Sequence, residues 1–391
     1  MSKTRKCFTL FLLAASLIFL QAAALAQGST SPQLKAAIEK VEAMTTAELA
    51  KDNLGSVTVG IISGPDLIWA KSFGYADMEK KVPATADSVY RIGSITKQFT
   101  ALMLLQLVED GKVHFTDMVE KYFPEINQVQ GRMPWYSPIT VIQLATMTSG
   151  LDREPDDLPT YLKGPVSEWE KVMISALPHV KYAYEPDTHY FYSNIGYAIL
   201  GATLGRAADK PYVVYVAERI FAPLQMTHTA FEPNPAILAN LTKGYDVDRN
   251  GKVDAETPAR EHQGRGYKVP NGAIYTTVGD LARFVAFELG EGPETVLKRK
   301  TLADNLTRTN SSTNDLKGGY GIGFQVNRRG ESVSYGHGGS VAGYNASALF
   351  DRGSKMGVVV LRNVGGGKFN VSILSERILE EVAAAKPQAR P

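Results

Sequence analysis

Cysteine is almost absent. Cys7 is the only one in 391 residues, so no internal disulfide and no C-x-x-C metal or redox pair can form. Histidine is sparse as well. The six (His114, His179, His189, His228, His262 and His337) show no H-E-x-x-H or similar ligand spacing, and neither a metal nor a cofactor is expected. Net charge is small, with 42 Lys and Arg against 40 Asp and Glu, which removes the electrostatic case for nucleic acid or an anionic membrane as partner. Internal repeats and long low-complexity tracts are missing. A phosphate loop is missing too: Gly365-Gly366-Gly367-Lys368 lacks the G-x-x-x-x-G-K-[ST] spacing, since Phe369 follows the lysine. That stretch reads as a strand-to-helix loop.

The N-terminus has the make-up of an export signal. Lys3, Arg5 and Lys6 form a basic start, Phe8 to Leu20 an apolar run, and Ala24-Leu25-Ala26 a small-x-small cleavage site before Gln27. The rival is an uncleaved anchor, because the run can be extended to about 18 residues, the lower edge for spanning a bilayer. The small-residue exit favours cleavage and a periplasmic or secreted protein with no membrane contact thereafter. Cleavage also removes Cys7 and three positive charges, leaving 39 basic against 40 acidic residues. The remaining 365 residues exceed one comfortable core, so two parts are expected.

Periodicity predicts both element types. Pro32 to Ala50 reads as a helix with Leu34, Ala37, Ile38 and Val41 on one stripe, followed by strands at Ser56 to Ile62 and Leu67 to Phe73 around a Gly64-Pro65-Asp66 turn. Helices are expected at Thr140 to Thr146, Glu168 to Leu177, Ser193 to Ala208 and Tyr212 to Phe221. Strands return at Gly323 to Asn327, Ser332 to Tyr335, Ala346 to Phe350 and Met356 to Leu361, before a closing helix from Phe369 to Ala384. The expected class is α+β: an antiparallel sheet built from both chain ends, flanked by helices, with an inserted mostly helical subdomain. The sheet part would take about 27–117 plus 261–391 and the helical part about 118–260, with the ligand cleft between them.

Three motifs carry chemistry. Gly93-Ser94-Ile95-Thr96-Lys97 opens a nearly all-apolar helix, and a helix places residues three apart on one face. Lys97 can therefore take the proton of Ser94, which makes the hydroxyl a nucleophile. Taken alone, the same residues are a capping serine and a solvated lysine. Tyr190-Phe191-Tyr192-Ser193-Asn194 precedes a second apolar helix, where Ser193 or Asn194 can be a cap and Tyr192 a proton shuttle. Tyr335-Gly336-His337-Gly338-Gly339-Ser340 offers close approach to a backbone; by itself it reads as a glycine-rich bend with a surface histidine.

In order and spacing, the three together resemble the serine β-lactamase and penicillin-recognising hydrolase family: class C β-lactamases, D,D-carboxypeptidases, D-aminopeptidases and related esterases. The likeness covers nearly the whole mature chain, including Ile139 to Leu144, Thr148-Ser149-Gly150-Leu151, Phe221 to Met226, Gly272 to Phe284 and Tyr320 to Phe324. It implies that Ser94 becomes acylated, Lys97 acts as base coupled to Tyr192, and Tyr192 relays protons. Asn194 would hold Lys97 and the substrate, and the N–H groups of Ser94 and Ser340 would form the oxyanion hole. His337-Gly338-Gly339 stands where K-T-G is found in relatives. Gly338 brings no hydroxyl, and His337 is expected to be only partly charged at neutral pH, so a substrate carboxylate should be held weakly. Met147 and Asp187, where relatives commonly have His and often Gly, are read as neutral.

Asp246 to Asp254 fits nine positions of a calcium loop, but Thr257 stands where the bidentate Glu belongs. An Asn250-Gly251 hairpin is the simpler reading. The expected activity is ester or amide hydrolysis, of an esterase or D-amino-acid peptidase type, on a small-molecule or peptide substrate. The alternatives are a β-lactamase and a non-catalytic ligand-binding homologue. Oligomeric state is not legible.

Overall fold

The computed structural model describes residues 31–306, 318–329 and 332–386. The expected export signal, residues 1–26, and the chain end beyond residue 386 lie outside them. Helix α1 (Pro32–Leu49) starts where Ser31 accepts the Leu34 N–H at 3.2 Å and Pro32 occupies the first turn. Strands β1 (Ser56–Ser63), β2 (Asp66–Asp77), β3 (Val82–Pro83) and β4 (Tyr90–Arg91) lead to helix α2 (Thr96–Glu109). Helices α3 (Trp169–Ala176) and α4 (Asn194–Ala208) follow, then β5 (Tyr245–Val247), β6 (Val253–Asp254), β7 (Tyr275–Thr276) and α5 (Val278–Ala286). The last run is β8 (Gly318–Tyr320), β9 (Gln325–Arg329), β10 (Ser332–Val341), β11 (Tyr344–Asp351), β12 (Met356–Arg362), β13 (Val364–Gly366) and α6 (Val371–Ala385).

The main sheet runs β3-β2-β1-β12-β11-β10-β9-β8 and is antiparallel at each pairing. Its two chain ends meet at β1 and β12, with Val59 opposite Val360. Strand alternation sorts the apolar residues onto two faces. Val57, Val59 and Ile61 with Val358 and Val360 meet Leu34, Ala37 and Val41 of α1 and Leu374, Ile378 and Val382 of α6. Ile62, Val359 and Leu361 turn the other way, into the larger core with Phe99 of α2 and Leu281 and Phe284 of α5. Each Val, Leu, Ile or Phe among them contributes about 1.5–3 kcal/mol by leaving water. The sheet is therefore a middle layer, and the α+β expectation holds.

One local reading changes and another holds. β10 does not end at Tyr335 but continues to Val341, because His337, Gly338 and Gly339 pair with Ala348, Ser347 and Ala346 of β11. The glycine-rich stretch is strand, not bend. Residues Asp246 to Asp254 form the β5–β6 hairpin, whose turn is tied by Asp248 Oδ1 accepting the N–H groups of Asn250 (2.8 Å) and Lys252 (2.9 Å). Those ties occupy the carboxylate within its own loop. Among the described residues, no group of three His, Cys, Asp or Glu is placed to hold a metal ion, and no helix is long and apolar enough to cross a membrane.

Candidate active site

Ser94 sits on a single 3₁₀ turn, Gly93–Ile95, that runs straight into α2. The turn is pressed against β10, and two glycines permit it. Gly93 has φ of 49°, and a Cβ there would lie 2.8 Å from the Ser340 nitrogen; a Cβ on Gly339 would lie 1.9 Å from the Ile92 carbonyl oxygen. Any side chain at either position would drive the strand away. The main chain of Ser340 thus packs against Gly93, and that of Gly339 against Ile92 and the Ser94 nitrogen.

Lys97 is 0% exposed, in the first turn of a helix whose residues from Thr96 to Leu107 are all buried. Its Nζ donates to Ser94 Oγ at 3.1 Å, Asn194 Oδ1 at 2.8 Å and the Asn271 carbonyl at 3.0 Å. All three acceptors are neutral. Burial, reinforced by Lys268, Arg153 and Arg265 and opposed by Glu154, holds the lysine well below its ordinary pKa. The environment thus favours the neutral amine, whose two N–H groups stay with Asn194 Oδ1 and the Asn271 carbonyl and whose lone pair then faces the Ser94 hydroxyl.

The Tyr-Ser-Asn element divides its tasks. Ser193 is the cap of α4, accepting the Gly196 N–H at 2.9 Å, which leaves Asn194 free to face the lysine. Tyr192 lies over Lys97, its ring centre 4.9 Å from Nζ, and its hydroxyl is a hydrogen-bond neighbour of Ser94. Burial raises the Tyr192 pKa despite the opposing Ser94 contact and Arg153 charge, so the phenol keeps its proton at neutral pH. Met147 is not neutral to this element: its φ is 61°, its carbonyl accepts the Phe191 N–H at 2.8 Å and its sulfur the Ser193 N–H at 3.3 Å. Asp187, with φ of 69°, adopts the left-handed conformation that glycine takes readily.

His337 departs from expectation in two ways. It is 2% exposed rather than a surface residue. Burial and the nearby Lys97 push its pKa down to about 3, so it is neutral, not partly charged, at pH 7. Its Nδ1 faces the Gly338 carbonyl at 2.5 Å, which only an N–H can satisfy, and Nε2 then accepts from the Tyr320 hydroxyl at 3.2 Å. At Gly338 a Cβ would meet nothing closer than 3.9 Å, so the missing hydroxyl is not forced by crowding. Ser94, Lys97, Tyr192, Asn194, His337, Gly338, Gly339 and Ser340 are gathered at one place. Missed from sequence were Asn271, whose carbonyl holds Lys97, and Glu154, which accepts from Asn194 Nδ2 at 2.7 Å.

The family model described as Beta-lactamase matches residues 41–383. The chain belongs to the beta-lactamase family. Its similarity to Beta-lactamase-like protein 2 of Dictyostelium discoideum is 30% identity over 338 residues, 84% of this chain and 59% of that protein. It is 25% identical to Protein flp of Staphylococcus aureus (strain MRSA252) over 330 residues, 83% of this chain and 63% of that one. The chain thus spans about three fifths of the length of these relatives. The fold matches that of an octameric penicillin-binding protein homologue from Pyrococcus abyssi, with a TM-score of 0.73 at 24% identity, over 90% of this chain and 78% of the other. This fold family consists generally of serine hydrolases.

Proposed function

We propose that this protein is an exported serine hydrolase that cleaves esters or amides through an acyl-enzyme on Ser94. The observation that carries the reading is the buried Lys97 amine, 3.1 Å from Ser94 Oγ and held by neutral acceptors only. An amine depressed in this way accepts the serine proton as Oγ attacks the carbonyl carbon. Negative charge then develops on the carbonyl oxygen, where the adjoining main-chain N–H groups of Ser94 and Ser340 would receive it. A donor of this kind is typically worth roughly 10²–10³ in rate. Tyr192, kept as a phenol by burial, is suited to protonate the leaving group. This separates the coupled pair into a base, Lys97, and an acid, Tyr192. Water then attacks the acyl carbon, giving a proton to the Tyr192 phenolate and so restoring the phenol, and Ser94 leaves with the proton returned from Lys97.

An esterase or D-amino-acid peptidase type fits better than a β-lactamase. A neutral His337 and a Gly338 without hydroxyl offer a substrate carboxylate neither charge nor a short donor. The test is p-nitrophenyl butyrate hydrolysis by residues 27–391 beside the Ser94→Ala variant. Loss of turnover in the variant is expected; equal turnover in both would end the proposal. Cephalosporin turnover faster than that of the ester would move β-lactam hydrolysis to the front.

A further inference from the structure

The acyl-enzyme reading has no use for Glu154, Tyr267 and Lys268, yet these three form a partly buried cluster against Asn194. Glu154 Oε1 accepts from Asn194 Nδ2 at 2.7 Å and from Lys268 Nζ at 3.0 Å, and Glu154 Oε2 accepts from the Tyr267 hydroxyl. The Glu154 and Lys268 side chains are only 21% and 14% exposed, so their charges are weakly screened by solvent. We propose that Glu154 and Lys268 are positioning residues for the Ser94–Lys97 pair: Glu154 fixes which face Asn194 shows to Lys97, and the ion pair sets the field across the lysine amine. The inference rests on the acyl-enzyme reading.

The orientation argument follows from what each group can donate. A side-chain amide can turn end for end at small cost, presenting either oxygen or NH₂ to its neighbour. Glu154, as a carboxylate, only accepts. Asn194 must therefore point Nδ2 at Glu154, which leaves Oδ1 for Lys97 at 2.8 Å. The reversed amide would set two donors, NH₂ and the amine, against each other. The Asn271 side chain fixes the same residue from behind, its Nδ2 donating to the Asn194 carbonyl at 2.9 Å.

The field argument has a sign for each partner. The groups that face Lys97 are Ser94 on its own turn, Tyr192, Asn194 and Tyr197, the Asn271 carbonyl, and neutral His337 on β10. The charges around it are Lys268, Arg153 and Arg265, which disfavour its protonation, and Glu154, which favours it. Removing Glu154 and removing Lys268 should therefore act on the lysine in opposite directions, although both break the same ion pair.

The experiment is kcat/KM for p-nitrophenyl butyrate against pH in the wild type, Glu154→Gln and Lys268→Met. Glutamine keeps an acceptor for Asn194 but drops the charge and leaves Lys268 unpaired. Both effects move the acid limb of the profile to lower pH. Lys268→Met moves it to higher pH. A merely structural ion pair would leave both limbs in place or shift them together, and either result overturns the proposal. Glu154→Ala should lower kcat by a further factor on the order of 10 relative to Glu154→Gln, since the amide is released. Equal kcat in those two variants removes the orienting role. Wild-type turnover in Ser94→Ala removes this inference together with the acyl-enzyme reading, whereas Ser94-dependent turnover with unmoved limbs removes this one alone.

Discussion

Lys97 and Arg362 are both 0% exposed basic side chains, and the molecule surrounds them in opposite ways. Arg362, at the end of β12, donates twice through Nη2 to the two oxygens of Asp52, each at 2.9 Å, and lies 4.2 Å from the centre of the Phe369 ring. Burial lowers its pKa, but Asp52 and Glu48 oppose the loss of charge. An arginine stays protonated under such pressure. Lys97 has neutral oxygens in contact and three like charges nearby. One site retains a cation to tie the loop after β13 to the end of α1; the other favours its loss. Burial alone does not separate a structural cation from a reactive one. The partners do.

Exchanging the two designs gives the largest expected effect. Lys97→Arg installs a charge that cannot be given up, and kcat/KM for the ester should fall by roughly 10²–10⁴, with Tyr192→Phe in the same range. Near-wild-type rates in the arginine variant would place the base elsewhere. On the other side, Asp52→Ala strands Arg362 and frees the N–H groups of Lys368 and Phe369, which Asp52 accepts at 2.9 and 3.1 Å. Urea unfolding should show a loss of about 3–5 kcal/mol, with the rate constants of the folded fraction unchanged. A loss in Ser94 reactivity instead would join two regions that the structure keeps apart.

The same pair has a pH signature. Burial works against the Asp52 carboxylate, but its hydrogen bonds and charge contact with Arg362 prevail and its pKa is lowered. Its contribution is therefore complete above about pH 4, the unfolded value, and is lost as pH falls through the folded one. Acid unfolding of Asp52→Asn should lack that component. Glu288 gives an effect of the opposite sign. Burial pushes its carboxyl up to about 8, Arg352 notwithstanding, and its Oε2 has no partner among the described groups. The unfolded chain releases that proton near pH 4.5 and the folded one near 8, so stability falls across that window. Thermal unfolding of Glu288→Gln should lose that slope; an unchanged slope would show that the carboxyl is ionised in the fold.

Much of this was legible in the sequence because local signals agreed with the global fold. The apolar periodicities of α1, α6, β1 and β12 marked the layers, and Ser94, Lys97, Tyr192 and Asn194 stood at helix starts that the structure retains. The extent of β10 was not legible, since glycine has no strand preference and its pairing with β11 is a tertiary matter. Nor was the state of His337: burial and a neighbour 240 positions away in sequence, Lys97, decide it. Glu154 carried no motif at all; only the folded chain brings it to Asn194. Met147 was dismissed because its role is conformational, through a left-handed backbone that side-chain chemistry does not announce.

The most direct measurement is mass spectrometry of the protein quenched during turnover of a p-nitrophenyl ester, with peptide mapping of the adduct. The account predicts a single acyl group on Ser94, absent in Ser94→Ala and formed far more slowly in Lys97→Arg. An acyl group on another residue, or turnover through no covalent adduct at equal rate in Ser94→Ala, would contradict it.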